Sequence, residues 1–360
     1  MNQPTSIYLD LVRFLAAVTV FLSHTADRRY SGGVLWQISP MGPEAVMVFF
    51  VLSGFVITYA VEERERSART FVINRMARIY SVTIPALALT FLLDPIGRAV
   101  TPQLYLGWPD YAPNQVTWQV LNSILFTNQI WFNHVQPGTI GPYWSMGFEV
   151  SYYIAFGVAI FAPRRWAIAG ALAVMFVAGP NIAVLFPIWL LGVACYRLCA
   201  KYPLGARAGL LLWILSSIAI AIVEFLPADR QLPIGTISFS PERLRSIVHF
   251  YVVAFLFAAH VVGFRGASPA LAAPLKLFMR PIRWVGQRTF ALYLFHEPIM
   301  QFVVAVAPWP AKSWLTRGLV FFGVPLVVFG LAEVTERRKD AWRSLFDTLL
   351  VSKLPIKSSD

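Results

Sequence analysis

Apolar runs of roughly 15 to 20 residues recur along almost the whole chain, each long enough to cross a bilayer as a helix. Inside lipid, every backbone polar group must be paired within the protein, which leaves helices and closed barrels as the only spanning structures. A barrel would show apolar residues at every second position, and this chain does not. With 57% hydrophobic and 13% charged residues, a water-soluble globule is disfavoured. The pattern predicts an all-α, polytopic integral membrane helix bundle.

We predict about ten transmembrane helices, separated by loops rich in glycine, proline or charge. A further segment, 117–131, contains four Asn and Gln side chains and is short for a crossing, so we interpret it as re-entrant or interfacial. The predicted spans are 7–25, 44–61, 79–96, 146–162, 166–179, 182–199, 208–226, 247–263, 289–307 and 315–334.

Basic residues accumulate on one side of this predicted topology. Of the 30 Lys and Arg residues, 21 lie in segments on the same side as the N-terminus and eight lie on the other. Because Lys and Arg concentrate in cytoplasmic loops, we predict a multi-pass protein of the inner (plasma) membrane with both termini cytoplasmic. The net charge of +12 then reflects topology rather than nucleic-acid binding, since the basic residues are spread over short loops.

We find no internal repeat or low-complexity tract, and therefore predict one membrane domain at 1–334 followed by a basic cytoplasmic tail at 335–360. The only two cysteines, Cys195 and Cys199, lie one helical turn apart in an apolar run. Neither a disulfide framework nor a zinc-binding spacing is present, so we interpret both as packing residues and expect no metal.

Two polar side chains interrupt the first predicted span. Arg13 and His24 are 11 residues apart, which is three helical turns, so they lie on nearly the same face about 16 Å apart along the axis. A charge at mid-membrane costs ~2.5 kcal/mol or more and usually marks a function. We expect both to face one cavity. An Arg13 that pairs with Asp10 and a His24 at the membrane interface would account for them equally well.

A second basic feature lies at the start of the third predicted span. Arg75 and Arg78 are i, i+3 neighbours on one helical face and together can bind a polyanion. Positive charge at a cytoplasmic helix end is also what topology alone supplies. Because Arg75 and Arg78 lie on the cytoplasmic side of Arg13, we expect the three arginines to form a line of positive charge that extends into the membrane.

An acidic side chain lies within the apolar fourth span. Glu149 could orient an imidazole or accept a hydrogen bond from a hydroxylated substrate. Trp144 and Ser145 precede it near the interface, and Tyr153 follows one turn later. Aromatic residues are common at membrane interfaces, so the carboxylate is the more informative feature.

The other histidines differ in how strongly they indicate a functional role. His296 lies inside the ninth span next to a carboxylate, and Pro298 opens the helix there, so a structural role bonded to a freed carbonyl and a catalytic role are both consistent. His249 and His260 lack an acidic neighbour in sequence and are interpreted as packing. His134, in a loop predicted to be extracytoplasmic, could contact substrate, although nothing requires it.

Taken in order, these motifs resemble those of the acyltransferase 3 family of bacterial-type integral membrane O-acyltransferases, over residues 7 to about 334. One departure is that Val150 and Ser151 follow Glu149 where the family often has a second acid and a glutamine, so only Glu149 can carry the acidic role of that motif. The matching motifs are Arg13 with His24, FFVLSGFVIT at 49–58, Arg75 with Arg78, WSMGFEVSYY at 144–153 and ALYLFHEP at 291–298.

The resemblance implies transfer of an acyl group, usually acetyl, from cytoplasmic acyl-CoA to a hydroxyl of a cell-surface or exported glycan. The expected partners are acyl-CoA, a hydroxylated acceptor and membrane lipid, without nucleic acid. On this basis we assign His24 as the base, with Arg13 and Glu149 as further catalytic residues. The expected donor-binding residues are Arg75, Arg78 and Arg13, and the expected substrate contacts are Trp144, Ser145, Tyr153 and His296.

Two alternatives stay open at the level of sequence. The first is a transporter or flippase that moves an amphipathic glycan or lipid without chemistry, although transporters often show inverted repeats and paired broken helices that we do not find here. The second concerns mechanism, since a covalent acyl-enzyme on His24 or Ser145 would replace direct transfer. The acceptor, the acyl group and the oligomeric state are not specified by the sequence.

Overall fold

The computed structural model describes residues 1–108, 110–238 and 240–351, which form helices and loops without a strand. The predicted all-α architecture is confirmed. Short stretches of 3-10 or π helix occupy Trp36–Met41, Pro113–Gln115, Gly141–Tyr143, Leu319–Gly323 and Glu336–Arg338. The α-helices are α1 (Gln3–Thr25), α2 (Arg28–Ser31), α3 (Gly42–Glu63), α4 (Ala68–Val100), α5 (Pro102–Leu106), α6 (Val116–Ile124), α7 (Trp144–Phe161), α8 (Arg164–Ala178), α9 (Pro180–Lys201), α10 (Ala206–Phe225), α11 (Pro241–Ala267), α12 (Ala272–Leu277), α13 (Met279–Gly286), α14 (Thr289–Val306), α15 (Trp314–Gly318), α16 (Val324–Val334) and α17 (Lys339–Val351).

Among the described residues, nine helical segments are long and apolar enough to cross a membrane, and they correspond to nine of the ten predicted spans. The remaining predicted span, 166–179, is α8, whose 15 residues extend only about 22 Å against a hydrocarbon core of about 30 Å. The nine segments are Gln3–Thr25, Trp36–Glu63, Ala68–Val100, Gly141–Phe161, Pro180–Lys201, Ala206–Phe225, Pro241–Ala267, Thr289–Val306 and Trp314–Leu349.

Segment 117–131 contains only the nine-residue helix α6, about 14 Å long, followed by irregular chain. It is too short to cross a bilayer. Several of its polar side chains are bonded locally, since Gln119 Nε2 donates to Ala112 O at 2.9 Å and Thr127 Oγ1 donates to Asn122 Oδ1 at 2.9 Å. These bonds satisfy polar groups that a lipid-facing helix could not accommodate.

The bundle has two ends that we name by position. The basic end carries the N-terminus, the loop 64–67 between α3 and α4, and α17. The far end carries the turn between α1 and α2, the start of α3 and the end of α14. Large apolar side chains are exposed on the outer faces, as a lipid-facing surface requires, including Leu172, Phe176, Leu211, Leu215, Phe322 and Leu326.

Helices α3 and α9 approach each other at two glycines. A Cβ atom at Gly54 would lie 2.1 Å from Trp189 O, and one at Gly192 would lie 2.0 Å from Val51 O. Small residues let transmembrane backbones come this close, which increases van der Waals contact where no hydrophobic force joins the helices. The contact fixes α3 so that Phe50 packs against α7, with its ring 5.4 Å from that of Tyr152.

The first part of the predicted tail is folded onto the bundle. After the turn Glu336–Arg338, α17 packs against the start of α4, where Arg69 Nη2 lies 2.8 Å from Asp347 Oδ1 and the rings of Tyr80 and Phe346 lie 5.7 Å apart. The rest of that tail, 352–360, lies outside the described residues.

Candidate active site

Arg13 on α1 and Arg78 on α4 line two adjoining cavities. The first, which we call the inner chamber, has a volume of about 60 Å³ and is also lined by Ser53, Ser145, Glu149, Tyr153 and Tyr293, together with apolar residues of α3. The second, which we call the vestibule, has a volume of about 300 Å³ and is also lined by Asp10, Gln287, Glu336, Arg337, Lys339 and Asp340. The two arginines therefore stand at the junction of the cavities.

These two arginines have little compensating charge. Arg13 Nη1 lies 3.6 Å from Asp10 Oδ1, and that carboxylate is also bonded by Arg283. In the part of the chain that the structure describes, no hydrogen bond or ion pair holds the Arg78 guanidinium. An Arg with unused donors in a low-dielectric site is suited to bind a phosphate or another anion.

Glu336 closes one side of the vestibule. Its carboxylate accepts the backbone N–H of Ala291 at 2.9 Å and of Phe290 at 3.4 Å, at the start of α14. These N–H groups have no partner within the helix, so the carboxylate satisfies their hydrogen bonds. Its negative charge also interacts favourably with the positive end of the helix dipole. The segment that leads into α17 is thereby fixed over the vestibule.

Glu149 faces the inner chamber but contacts hydroxyl groups rather than an imidazole. It accepts hydrogen bonds from Ser53 Oγ at 3.0 Å and from the hydroxyl of Tyr153. Ser53 Oγ and Tyr153 Oη are themselves 3.2 Å apart. Of the two roles that the sequence suggested for Glu149, this geometry favours contact with a hydroxylated molecule.

At the far end, His24 lies beside His296 and Glu297. His24 Nδ1 is 2.9 Å from His296 Nε2 and 3.4 Å from Glu297 Oε2, and the two imidazole rings stack at 5.1 Å. The carboxylate nearest to the imidazole is thus Glu297, which the sequence placed next to His296 but which we did not predict as a site residue.

Hydrogen bonds determine which nitrogen of His24 is free. His296 Nδ1 lies 2.7 Å from Leu292 O, and a carbonyl can only accept, so Nδ1 carries the proton and His296 Nε2 accepts. His24 Nδ1 must then donate to it, which leaves the lone pair of His24 on Nε2. His296 is fully buried whereas the His24 side chain is 31% exposed, so His24 is the histidine of this pair that can meet a substrate.

Tyr293 connects the two groups of residues. It lies one turn before Glu297 on α14, lines the inner chamber, and its hydroxyl is 2.8 Å from Ser145 Oγ. Tyr293 also donates to Pro142 O at 3.2 Å, which ties α14 to the start of α7. The sequence predicted that Arg13 and His24 face one cavity. Arg13 lines the inner chamber and His24 does not, so they do not share this cavity. The sequence reading missed Tyr293, although its i, i+4 spacing to Glu297 was visible.

Two other predicted site residues lie apart from the cavities just described. Arg75 pairs with Glu65 Oε1 at 2.5 Å and lines a separate, apolar cavity of about 490 Å³ between α4 and α7. Trp144 is buried against Phe50 and Phe148, with the Phe148 ring 5.2 Å away, and lies outside the inner chamber lining. Arg75 and Arg78, which the sequence had paired, therefore line different cavities that meet at Tyr153.

Ligand geometry allows one further reading of the histidine pair. The ligand atoms of His24, His296 and Glu297 lie within 4.8 Å of one another, a spacing that a metal ion could bridge. The 2.9 Å separation of the two ring nitrogens is that of a direct hydrogen bond, and their proton assignment needs no ion. We therefore describe His24 and His296 as a hydrogen-bonded pair with Glu297 beside it.

Just beyond α1, Asp27 and Arg29 form a paired charge next to the histidines. Partial burial raises the pKa of Asp27, but hydrogen bonds from Arg29 lower it further, so the pKa lies below its ordinary value. Arg29 Nη2 is 2.8 Å from Asp27 Oδ2. The pair is ionised and neutral overall, and Glu297 is the carboxylate that reaches His24 Nδ1.

The remaining histidines are engaged elsewhere. His260 contacts Tyr8 and Ser217, with His260 Nδ1 3.1 Å from Ser217 Oγ. His134 Nε2 lies 3.1 Å from Asp110 Oδ2 in a loop at the far end. His249, interpreted from sequence as packing for want of an acidic neighbour, has an acid supplied by the fold, because its Nε2 lies 3.0 Å from Glu44 Oε1.

Comparison with known proteins identifies a family and distant relatives. The family model described as an acyltransferase domain matches residues 6–332. Acyltransferase MdmB of Streptomyces mycarofaciens is 29% identical over 191 residues, 49% of this chain and 46% of that protein. Exopolysaccharide production protein ExoZ of Rhizobium meliloti is 27% identical over 40% of this chain and 43% of that protein. O-acetyltransferase OatA of Staphylococcus aureus is 22% identical over 82% of this chain and 50% of that protein.

The chain spans about half the length, or less, of these curated relatives. No solved structure matches it.

Proposed function

Because this chain belongs to the acyltransferase domain family, we propose that it transfers an acyl group, acetyl in the first instance, from acyl-CoA at the basic end to a hydroxyl of a glycan at the far end. The observation that carries the proposal is the hydrogen bonding of His24 to His296, which leaves His24 Nε2 free to accept a proton. Arg13 and Arg78, at the inner chamber, are free to bind an anionic donor. The names of two relatives, an O-acetyltransferase and an exopolysaccharide production protein, support the acyl group and the class of acceptor.

The donor enters from the basic end in this proposal. Arg78 and Arg13 bind its phosphates, and the pantetheine arm extends through their junction towards Ser145 and Tyr293. The inner chamber has room for on the order of four to six water molecules, which suits an acetyl group better than a long acyl chain. The small volume of the chamber is thus the main argument for acetyl.

The chemical step follows from the proton assignment of His24. The acceptor hydroxyl loses its proton to His24 Nε2 as its oxygen attacks the thioester carbonyl, the new C–O bond forms, and the C–S bond breaks. The imidazolium then returns the proton to the departing thiolate. Glu297, 3.4 Å from Nδ1, stabilises the positive ring. The Ser145 and Tyr293 hydroxyls, which bond each other and Pro142 O, are the groups that turn towards the developing oxyanion in this proposal.

The distribution of basic residues supports the proposed orientation in the membrane. The basic end holds the excess of Lys and Arg, so it faces the cytoplasm of an inner-membrane protein, and acyl-CoA is available on that side. In this proposal residues 1–334 form the membrane acyltransferase domain, 335–360 lie at the cytoplasmic surface, and the acceptor and surrounding lipid are the partners at the far end.

Replacement of His24 tests the proposal. Purified His24→Asn protein should release CoA thiol from acetyl-CoA in the presence of acceptor roughly 1,000-fold more slowly than the parent. His260→Gln is the matched control, since His260 contacts Tyr8 and Ser217 away from the site and should retain the parent rate.

Two outcomes would contradict the proposal. Parent-like acetylation of surface glycan by His24→Asn, measured by mass spectrometry, would exclude His24 as the base. A parent protein that moves glycan or lipid but never releases CoA thiol would instead support the transporter that the sequence left open.

A further inference from the structure

A polar groove lies between α4 and α17, and its α17 side lies beyond the residues that the family model matches. On α17 it is lined by Asp340, Arg343, Ser344 and Asp347, which follow the i, i+3, i+4, i+7 spacing of one helical face. On α4 it is lined by Arg69, Thr70, Ile73 and Asn74, and its volume is about 370 Å³.

Helix α17 turns both apolar and polar residues towards α4. An amphipathic helix normally turns its apolar face towards its neighbour. Phe346 does so, since its ring lies 5.7 Å from that of Tyr80, while a polar face of the same helix lines the groove and Leu345 remains 50% exposed. Packing alone does not account for this polar groove, which has the volume of a small-molecule site.

The groove is continuous with the candidate active site. Asp340 lines both the groove and the vestibule, and Asn74 precedes Arg78 by one turn on the same helix. From Arg69 to Arg78 the path covers about 14 Å along α4. Groove, vestibule and inner chamber therefore form one route from the basic end to Ser145 and Tyr293.

The two arginines of the groove differ in their pairing. Arg69 is paired with Asp347 at 2.8 Å. Arg343 is exposed, and within the described ranges its guanidinium has no hydrogen-bond or ion-pair partner. Asp340, one helical turn away, balances its charge without a direct contact, and Asn74 and Ser344 add an amide and a hydroxyl to the same groove. The groove therefore offers a phosphate the unused donors of one guanidinium, beside groups that can bond a sugar or a base.

We propose that the groove between α4 and α17 binds the adenosine 3′-phosphate end of a coenzyme A donor, with the 3′-phosphate on Arg343. This inference rests on the proposed function. The diphosphate then lies in the vestibule near Arg337, Lys339 and Arg78, and the thioester reaches the inner chamber, which at about 60 Å³ excludes a nucleotide.

Donor analogues separate this site from the rest of the route. Acetyl-CoA, acetyl-3′-dephospho-CoA and acetyl-4′-phosphopantetheine should be compared as substrates of the full-length protein and of Arg343→Gln. We expect Arg343→Gln to raise the KM for acetyl-CoA about tenfold, the loss of one charge-assisted contact, with kcat unchanged. The KM for the other two donors should stay the same, because neither carries the 3′-phosphate.

Two variants provide controls. Arg343→Lys keeps the charge and should retain most of the affinity for acetyl-CoA. Arg338→Gln removes an exposed arginine that does not line the groove or the vestibule, and should leave all three KM values unchanged.

The inference is overturned if Arg343→Gln changes the KM for all three donors equally, as a general disturbance of α17 would, or changes none of them. If the parent protein turns over none of the three donors, the proposed function itself fails, a result distinct from either of these.

Discussion

Two clusters of charged residues in this bundle differ in whether their charges are paired within the protein. At the far end, Glu44 Oε1 lies 2.5 Å from Arg230 Nε and 3.0 Å from His249 Nε2, and Arg230 also pairs with Glu224 at 3.2 Å. We call these four residues the Glu44 network.

The other cluster is the arginine pair, Arg13 and Arg78, at the junction of the inner chamber and the vestibule. Among the described residues its one ion pair joins Arg13 to Asp10 at 3.6 Å, although Glu149 lines the inner chamber and Glu336 the vestibule. A buried charge without a direct partner lowers stability, and in the proposed function the donor supplies that partner. On that proposal, direct pairing rather than the mere presence of charge in a membrane helix separates structural from ligand-binding residues.

The largest effect should come from the arginine pair. We expect Arg78→Leu to lower kcat/KM for acetyl-CoA roughly 1,000-fold, ~4 kcal/mol, because the donor phosphate loses a desolvated partner. Its thermal unfolding in detergent should be unchanged or shifted upward, since the protein loses an unpaired buried charge. A clear drop in unfolding temperature would show that Arg78 belongs with the structural charges.

The Glu44 network should respond in the opposite sense. We expect Arg230→Leu to lower the free energy of unfolding by about 3 kcal/mol, because the buried carboxylate of Glu44 and the half-buried one of Glu224 lose their cation. The folded fraction should keep its kcat/KM for acetyl-CoA within about twofold. Chemical denaturation measures the first quantity and thiol release the second. Adding Glu44→Gln to this variant should recover part of the lost stability, and failure to do so would argue that Arg230 acts on its own.

The smallest effect should come from Arg75, although the family resemblance implies that it matters as much as Arg78. Glu65 already neutralises Arg75, which lies outside the linings of both the inner chamber and the vestibule. We therefore expect Arg75→Gln to change kcat/KM only about threefold, ~0.7 kcal/mol, in the same thiol-release measurement. A loss as large as that of Arg78→Leu would restore the pair that the sequence suggested.

Much of the fold was predictable because a bilayer makes local hydropathy decisive. Each helix must satisfy its own backbone, so the apolar runs alone located the spans. Hydropathy did not indicate that the helix in predicted span 166–179, α8, is too short to cross the membrane. It also did not indicate that α17 packs on α4, because that packing depends on contacts such as the one between Arg69 and Asp347.

Candidate site residues were predictable only where a polar or charged side chain lies within an otherwise apolar helix. Arg13, His24, Glu149 and Arg78 are polar groups in or beside apolar runs, and such groups are visible in a linear pattern. The roles of their partners depended on distant segments. His24 meets His296 across 272 residues of chain, so the orienting group on α14 emerged only from the fold.

The close contact of α3 with α9 has a consequence for substrate choice. Gly54 adjoins Ser53, which lines the inner chamber, and the two interlocked glycines set how near that wall stands to Tyr293. In the proposed reaction, the absence of two side chains on neighbouring membrane helices therefore fixes the wall that limits the length of the transferred acyl group.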